Sequence, residues 1–156
     1  MPEVRLTLTP VAREVLSNLL RLAGPAAARA AVNRALIPDE DADLAATWTH
    51  ALAASASEEL ALLSTALAQA KGDPAIITLP SEAAAWSVVR ALTSVRLTLR
   101  ETVFPNVPDA ALEDERVMAR LLPSLPSEQQ HALACYDCFG LLQVSLIFRL
   151  APEEIG

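Results

Sequence analysis

Apolar side chains recur every three or four residues along most of the 156-residue chain, which is the period of a helix with one buried face. Prolines and glycines interrupt this pattern at the points where helices begin or end. The pattern predicts six helices, at about residues 10–23, 25–37, 43–71, 81–103, 109–122 and 127–150. The predicted fold class is therefore all-α: one helical domain over residues 1–156, built as a bundle of about six helices.

Two short segments depart from the helical period. Residues 4–9 alternate apolar and polar side chains, and residues 75–79 form the apolar, β-branched run AIITL, both of which are typical of strands. Each segment runs directly into a predicted helix, through TLTP and ITLP respectively. We therefore expect a small two-stranded ladder that pairs residues 4–9 with residues 75–79.

Composition narrows the class of protein. Hydrophobic residues make up 53% of the chain but aromatic residues only 4%, so the core is expected to consist mainly of Ala, Leu and Val. The net charge of −7 argues against a nucleic-acid partner, since such domains are usually basic. A basic leader and an uninterrupted apolar run of about 18 residues are both missing, so we expect a cytoplasmic chain with reduced cysteines and no membrane partner.

The predicted helix at 81–103 has two contrasting faces. One face carries valines and leucines at about 100° per residue and is predicted to be core, namely Val88, Leu92, Val95, Leu99 and Val103. The opposite face carries Trp86, Arg90, Arg96 and Arg100, with Thr93 and Leu97 between them. Arginines beside a tryptophan are suited to an acidic partner peptide or a phosphate. Alternatively, these arginines pair with neighbouring carboxylates or cover apolar surface.

The stretch HALACYDCFGLLQ places His131, Cys135 and Cys138 at positions i, i+4 and i+7 of the last helix, within about 60° on one face. A redox pair needs its first cysteine at a helix N-terminus, whereas nearly two turns precede Cys135. A structural zinc site needs four ligands, and no fourth is apparent. Because Leu142 and Leu146 share this arc, we expect a continuous, packed helix in which the cysteines act as small apolar residues; a metal or ligand site at His131, Cys135 and Cys138 is the alternative.

Other catalytic signatures are lacking from the sequence. It has no glycine-rich phosphate loop, no G-x-S-x-G turn and no HExxH, and the acidic run PDEDAD at 38–43 is best explained as the start of a helix. The sequence therefore favours a non-catalytic module, without a cofactor, over an enzyme. We expect it to act through an unidentified protein partner or as a homodimer.

Three segments resemble an uncharacterised family of small bacterial helical proteins, the DUF2017 family. They are RALIPDED at 34–41, AWSVVRALTSVRLTLRETV at 85–103 and YDCFGLLQVSLIFRL at 136–150. Members of this family are often encoded near the adaptor of the Clp protease, so the resemblance implies a role in proteolysis or housekeeping. The corresponding family helix lacks the cysteine pair, which implies that Cys135 and Cys138 are local substitutions.

Overall fold

The computed structural model describes residues 3–34 and 42–151. Its elements in chain order are β1 (Val4–Leu8), α1 (Pro10–Arg34), α2 (Ala42–Gln69), β2 (Ala75–Leu79), α3 (Glu82–Thr102), α4 (Asp109–Glu113), α5 (Glu115–Leu121) and α6 (Ser127–Leu150). A short 3₁₀ turn at Leu122–Ser124 precedes α6. Of the described residues 78% are helical, and this confirms the predicted mainly helical fold.

The predicted two-stranded ladder is present. Strands β1 and β2 pair antiparallel, with Val4 opposite Leu79 and Leu6 opposite Ile77. Alternate side chains of each strand are buried, because successive residues of a strand point to opposite faces. Each strand leads into a capped helix: the Thr9 hydroxyl accepts from the Ala12 amide at 3.1 Å, and the Ser81 hydroxyl accepts from the Ala84 amide at 3.1 Å. Both caps satisfy amide groups that the first helical turn leaves free.

The predicted break between the first two helices is wrong. Helix α1 continues through Gly24 and Pro25 to Arg34, although this dipeptide is typical of a helix end followed by a new helix start. A proline inside a helix removes one backbone hydrogen bond and strains the preceding turn, and packing of α1 along α2 and α3 outweighs that local cost. The predicted stop at Pro38 and the run PDEDAD up to Asp41 lie outside the described residues.

The predicted fifth helix is divided in two at Asp114. The backbone of Asp114 is extended, with φ −124° and ψ 113°, and its carboxylate accepts from the Arg116 amide at 2.9 Å. Asp114 therefore ends α4 and caps α5. The described residues form six α-helices, the number predicted, because two predicted helices are joined and another is split.

Helix α2 is anchored at one end. Its buried residues all belong to the C-terminal half, namely Ala56, Leu60, Leu63, Ala66 and Leu67. Apolar side chains nearer its N-terminus are exposed, including Trp48 at 44% and Leu52 at 38%. After α2, Gly72 has a φ of +97°, a conformation that favours glycine, and the chain turns there towards β2.

Helix α3 occupies the centre of the core and packs against α1, α2 and α6. Four of the five residues predicted for its core face are at most 1% exposed, namely Val88, Leu92, Val95 and Leu99. The fifth, Val103, is half-buried at the end of the helix. Burial of each such side chain stabilises the fold by roughly 1.5–3 kcal/mol. The buried face of α3 therefore contributes strongly to the stability of the fold.

Helix α6 runs without interruption from Ser127 to Leu150, as predicted. At its start, the N-cap residue Pro126 makes no side-chain cap bond, and the side-chain amide of Gln130 donates to the Leu125 carbonyl at 2.9 Å. By length and composition alone, α6 is the one described helix able to cross a membrane. Core helices pass the same test, and one face of α6 is buried through Phe139 and Leu146.

Candidate functional site

The arginine face predicted on α3 begins with Trp86 and Arg90, which are both exposed. The Arg90 Nε donates to a Glu59 carboxylate oxygen at 2.6 Å, and an Arg90 Nη donates to the Ser87 hydroxyl at 3.0 Å. Because 57% of the Arg90 side chain is exposed, this ion pair between α3 and α2 contributes little stability. Trp86 remains 36% exposed beside it on the same helix face.

Arg96 is half-buried between α3 and α6. Its Nη1 donates to the Gln143 side-chain oxygen at 3.0 Å, and its guanidinium carbon lies 4.4 Å from the centre of the Tyr136 ring. Gly140 makes room for this stacking, since a Cβ there would lie 3.1 Å from an Arg96 Nη. The Arg96 Nε is buried and has no hydrogen-bond partner in the described part of the chain. The contacts of Arg96 therefore join two helices inside the fold.

Gln143 is a structural residue that the sequence reasoning missed. Its side chain is only 8% exposed, and its amide nitrogen donates to the Val89 carbonyl at 3.1 Å and to the Thr93 hydroxyl. Its oxygen accepts from Arg96, so both the donor and the acceptor groups of this amide are hydrogen-bonded, as is usual for buried polar groups. The signal in the sequence is one glutamine among the mostly apolar residues of LLQVSLIF.

Arg100 lies in the last turn of α3 and bonds to residues that follow the helix. One Nη donates to the Phe104 carbonyl at 2.8 Å, and the other donates to an Asp109 oxygen at 2.8 Å. Phe104 is fully buried and meets the Tyr136 ring edge-on, with the ring centres 5.4 Å apart. Arg96 stacks on Tyr136 and Arg100 binds the Phe104 carbonyl. Each arginine therefore contacts one member of this aromatic pair, and both stabilise the junction of α3, α4 and α6.

The three arginines of the predicted partner or anion site contact different neighbours, and the fourth residue of that site is Trp86. Arg90 pairs with α2, Arg96 bonds to α6, and Arg100 bonds to the turn before α4 and to its first residue. The structure therefore distributes the three guanidinium groups over three contacts, and only Trp86 and Arg90 are exposed. Binding of an acidic partner to this face stays a prediction.

The cysteines lie at different depths in α6. Cys135 is 2% exposed, whereas Cys138 is half-buried. Burial raises the pKa of the Cys135 thiol, and the nearby Cys138 raises it further. Since the thiolate is the form that binds metals and attacks electrophiles, Cys135 is suited to packing, as predicted for a cysteine in a continuous helix.

The alternative site at His131, Cys135 and Cys138 gains no support from the geometry. The Cys135 Sγ lies 3.8 Å from the His131 Nε2, but the histidine is exposed while the thiol faces the core. Within residues 3–34 and 42–151, no group of three or more His, Cys, Asp or Glu side chains is placed to hold a metal ion. This alternative also stays a prediction.

Asp137 lies on the exposed side of α6. Partial burial raises the pKa of its carboxyl, Arg96 acts in the opposite direction, and Glu115 raises it slightly further. The charged form of this carboxyl group is therefore disfavoured mainly because burial removes part of its contact with water. A cation from outside the fold would lower its free energy.

An apolar groove lies between β1, α1 and α6. It encloses about 500 Å³ and is lined by Leu6, Thr7, Leu8, Ala12, Leu16, Cys138, Leu141, Leu142, Val144, Ser145, Phe148 and Arg149. Leu6, Leu16 and Leu142 are buried in its walls. Along its α6 side, Leu141 is 70% exposed, Val144 is 59% exposed and Phe148 is 57% exposed. We call these three residues the α6 stripe.

A second, polar groove of about 460 Å³ lies between α1 and α2, lined in part by Arg13, Ser17 and Arg21. Its cations are already engaged, since Arg13 donates to the Leu67 carbonyl at 3.4 Å and Arg21 donates to a neighbouring asparagine. A glutamate also lines this groove. An anion would therefore meet few available donors there, and the apolar groove is the better candidate site.

Comparison with known protein families gives one match. Residues 2–150 match the model of DUF2017, a domain of unknown function. The chain belongs to this family. No curated protein and no solved structure matches it significantly. The DUF2017 match covers the whole helical core, including the apolar groove and the arginine face of α3.

Proposed function

We propose that this DUF2017 chain is a non-catalytic helical module that acts through protein–protein contacts, and that the α6 stripe with the apolar groove is its main contact surface. The observation that supports this proposal is the exposure of Leu141, Val144 and Phe148 beside a groove with buried leucines in its walls. Clustered, exposed apolar side chains mark binding surfaces, because covering them removes apolar area from water.

The face formed by Trp86 and Arg90 is a second contact surface in this proposal. Tryptophan and arginine are enriched among the residues that dominate binding energy, and both side chains are exposed on α3. Arg96 and Arg100 would act there mainly by holding α3 in position, since their guanidinium groups bind Gln143, Phe104 and Asp109.

We extend the proposal to a cytoplasmic role linked to proteolysis or housekeeping regulation in bacteria. The support is the gene neighbourhood that the resemblance to DUF2017 implies, beside the adaptor of the Clp protease. In this role the chain binds other proteins and leaves the chemistry to the protease.

The test is affinity capture from native lysate with the tagged chain and with the variant Leu141→Glu plus Val144→Glu. We expect proteins captured by the wild type to be reduced at least about tenfold with the variant, since a charge placed in an apolar interface costs well over 1.4 kcal/mol. Circular dichroism and thermal unfolding check that the variant folds.

A matched control is Leu52→Glu, which places the same charge at a residue that is 38% exposed on α2, outside both proposed surfaces. It should capture the same proteins as the wild type. Charge reversal at Arg90 tests the second surface separately. Capture that is unchanged by both the α6 double variant and the Arg90 variant would contradict the proposed function.

A further inference from the structure

The exposed side of α6 has the spacing of a coiled-coil seam. Its exposed residues include Ala134, Asp137, Leu141, Val144 and Phe148, which follow one another at intervals of three, four, three and four residues. This is the repeat by which two helices keep one face in contact. The core face of α6, with Phe139 and Leu146 buried, is separate, so the seam is available to another helix.

The same patch contains both protruding side chains and a recess. Phe148 and Leu141 protrude from α6 at 57% and 70% exposure, and both also line the apolar groove that reaches Leu6 and Leu16. A surface that carries both complementary shapes can pair with an identical surface across a twofold axis. Each copy would then cover the other's stripe and fill the other's groove.

Charges at the two ends of the seam favour one orientation. Asp137 precedes the α6 stripe and Arg149 follows it, and both are exposed. An antiparallel pair of α6 helices brings each Asp137 towards Arg149 of the other copy, within reach of that long side chain. A parallel pair would instead set the two Asp137 carboxylates side by side, where they repel.

From the heptad spacing, the self-complementary shape and the end charges, we propose that the occupant of the apolar groove is a second copy of this chain, docked antiparallel through α6. This inference rests on the proposed function, because it identifies the partner of the α6 stripe. The dimer contact is made by a few apolar residues, so we expect a dissociation constant of about micromolar order.

A membrane surface is the competing occupant of an exposed apolar stripe. Interfacial helices that bind membranes carry lysines and arginines on their polar face, which attract anionic lipids. Helix α6 carries a single arginine, Arg149, and no lysine, the whole chain has a net charge of −7, and Asp137 lies in the same row of residues as the α6 stripe. Charge therefore favours a second copy over a lipid surface.

The experiment is sedimentation velocity over a concentration series of the full chain. We expect a monomer–dimer equilibrium for the wild type and for the control Leu97→Glu. Leu141→Glu and Phe148→Glu should weaken the dimer by at least about tenfold, as loss of a central apolar anchor does. If either glutamate variant does not fold, as judged by circular dichroism, the milder Phe148→Ala replaces it.

A charge-swap pair tests the orientation with exposed positions only. Asp137→Arg and Arg149→Asp should each weaken self-association by severalfold, because each creates two like-charge pairs in the dimer. Mixing the two variants restores opposite charges at both ends, so the mixture should form a heterodimer at least as tightly as the wild type associates. A parallel contact would differ at the first step, because each single variant would keep two like-charge pairs, as the wild type does, and would not associate more weakly. An unrelated contact would show neither the weakening nor the rescue.

The outcomes separate this inference from the proposed function. A chain that is still monomeric at about 100 µM, well above the expected micromolar dissociation constant, would overturn the inference. A dimer whose dissociation constant is unchanged by every α6 substitution would also overturn it. The proposed function would survive either result if lysate capture still depends on the α6 stripe. Stripe-dependent binding to anionic vesicles by a monomeric chain would identify a lipid surface as the occupant and overturn both.

Discussion

The arginine face of α3 and the α6 stripe make opposite use of their side chains. The sequence pattern predicts a partner site at Arg96 and Arg100, whereas it does not single out Leu141 and Phe148. In the structure the guanidinium groups are bonded inside the fold, while those apolar residues are more than half exposed. The polarity of a side chain therefore did not indicate whether it is free to bind.

The physical reason is the cost of burying a charge. A guanidinium that lies between helices must find acceptors, because an uncompensated buried charge is strongly destabilising. Arg96 finds the Gln143 oxygen and the face of Tyr136. Exposed apolar side chains face no such requirement, and an isolated one on a surface is ordinary. Their clustering beside a groove is what makes the α6 stripe the candidate contact surface.

The largest expected effect comes from truncating the buried member of the arginine face. Arg96→Ala should lower the free energy of unfolding by about 2–3 kcal/mol, since it removes a charged hydrogen bond to Gln143 and the packing over Tyr136. Arg90→Ala is the matched control on the same helix face, and its exposed ion pair with Glu59 should contribute less than about 1 kcal/mol. Urea unfolding followed by circular dichroism measures both.

Equal effects of the two substitutions would contradict this contrast. If Arg96→Ala left stability intact but abolished capture of a partner, Arg96 would belong to a binding site after all. Arg96→Lys sharpens the measurement, because lysine keeps the charge but cannot reproduce the flat stacking on Tyr136. We expect it to recover only part of the lost stability.

The regular elements of this fold were predictable because they depend on local patterns. The alternation at residues 4–9 and the apolar run at 75–79 gave both strands and their pairing. The valine and leucine arc of α3 gave the core face. The continuous helix around Cys135 followed from the absence of a break between Ser127 and Leu150.

Features that depend on tertiary contacts were not predictable from local patterns. Pro25 looked like a helix start, but α1 continues through it, and Asp114 looked like an interior residue, but it caps α5. On α6, leucines occur on several faces, so periodicity alone could not show that Leu142 is buried while Leu141 is exposed. The candidate contact surface became visible only when the neighbours of α6 were in place.

A smaller effect is expected at the acceptor that holds Arg96. Gln143→Leu should destabilise the fold by about 1–2 kcal/mol, because the Val89 carbonyl and the Arg96 guanidinium each lose a buried hydrogen-bond partner. The double variant with Arg96→Ala should be less destabilised than the two single effects combined, by about 1 kcal/mol. Strict additivity in urea unfolding would show that the two side chains do not act as a unit.

The two cysteines lie on different sides of α6: Cys135 is buried in the core, and Cys138 lines the apolar groove. Cys135→Ala should cost about 1 kcal/mol at neutral pH, since it removes one buried heavy atom from the core. Burial raises the pKa of the Cys135 thiol above the ordinary value of 9.0. In the unfolded chain the thiol therefore ionises first, so the contribution of Cys135 to the free energy of unfolding should be constant below about pH 9 and fall as the pH rises beyond it.

Cys135→Ala should reduce this loss of stability at alkaline pH. Cys138→Ala leaves Cys135 in place and should therefore show the same loss as the wild type. Thermal melts of the three proteins between neutral pH and about pH 10 measure the difference. Identical pH profiles for the wild type and Cys135→Ala would show that the Cys135 thiol does not titrate differently in the folded and unfolded chain.

The smallest expected effect is at the α6 stripe itself. Leu141→Gln should change the free energy of unfolding by less than about 0.5 kcal/mol in dilute protein, because a 70% exposed side chain buries little area on folding. If a second copy covers the stripe, association stabilises the wild type as concentration rises. The difference in melting temperature between wild type and variant should then grow with concentration, while Leu97→Gln on α3 follows the wild type throughout. A large destabilisation at low concentration would mean that Leu141 packs within its own chain, and the contrast with the arginine face would fail.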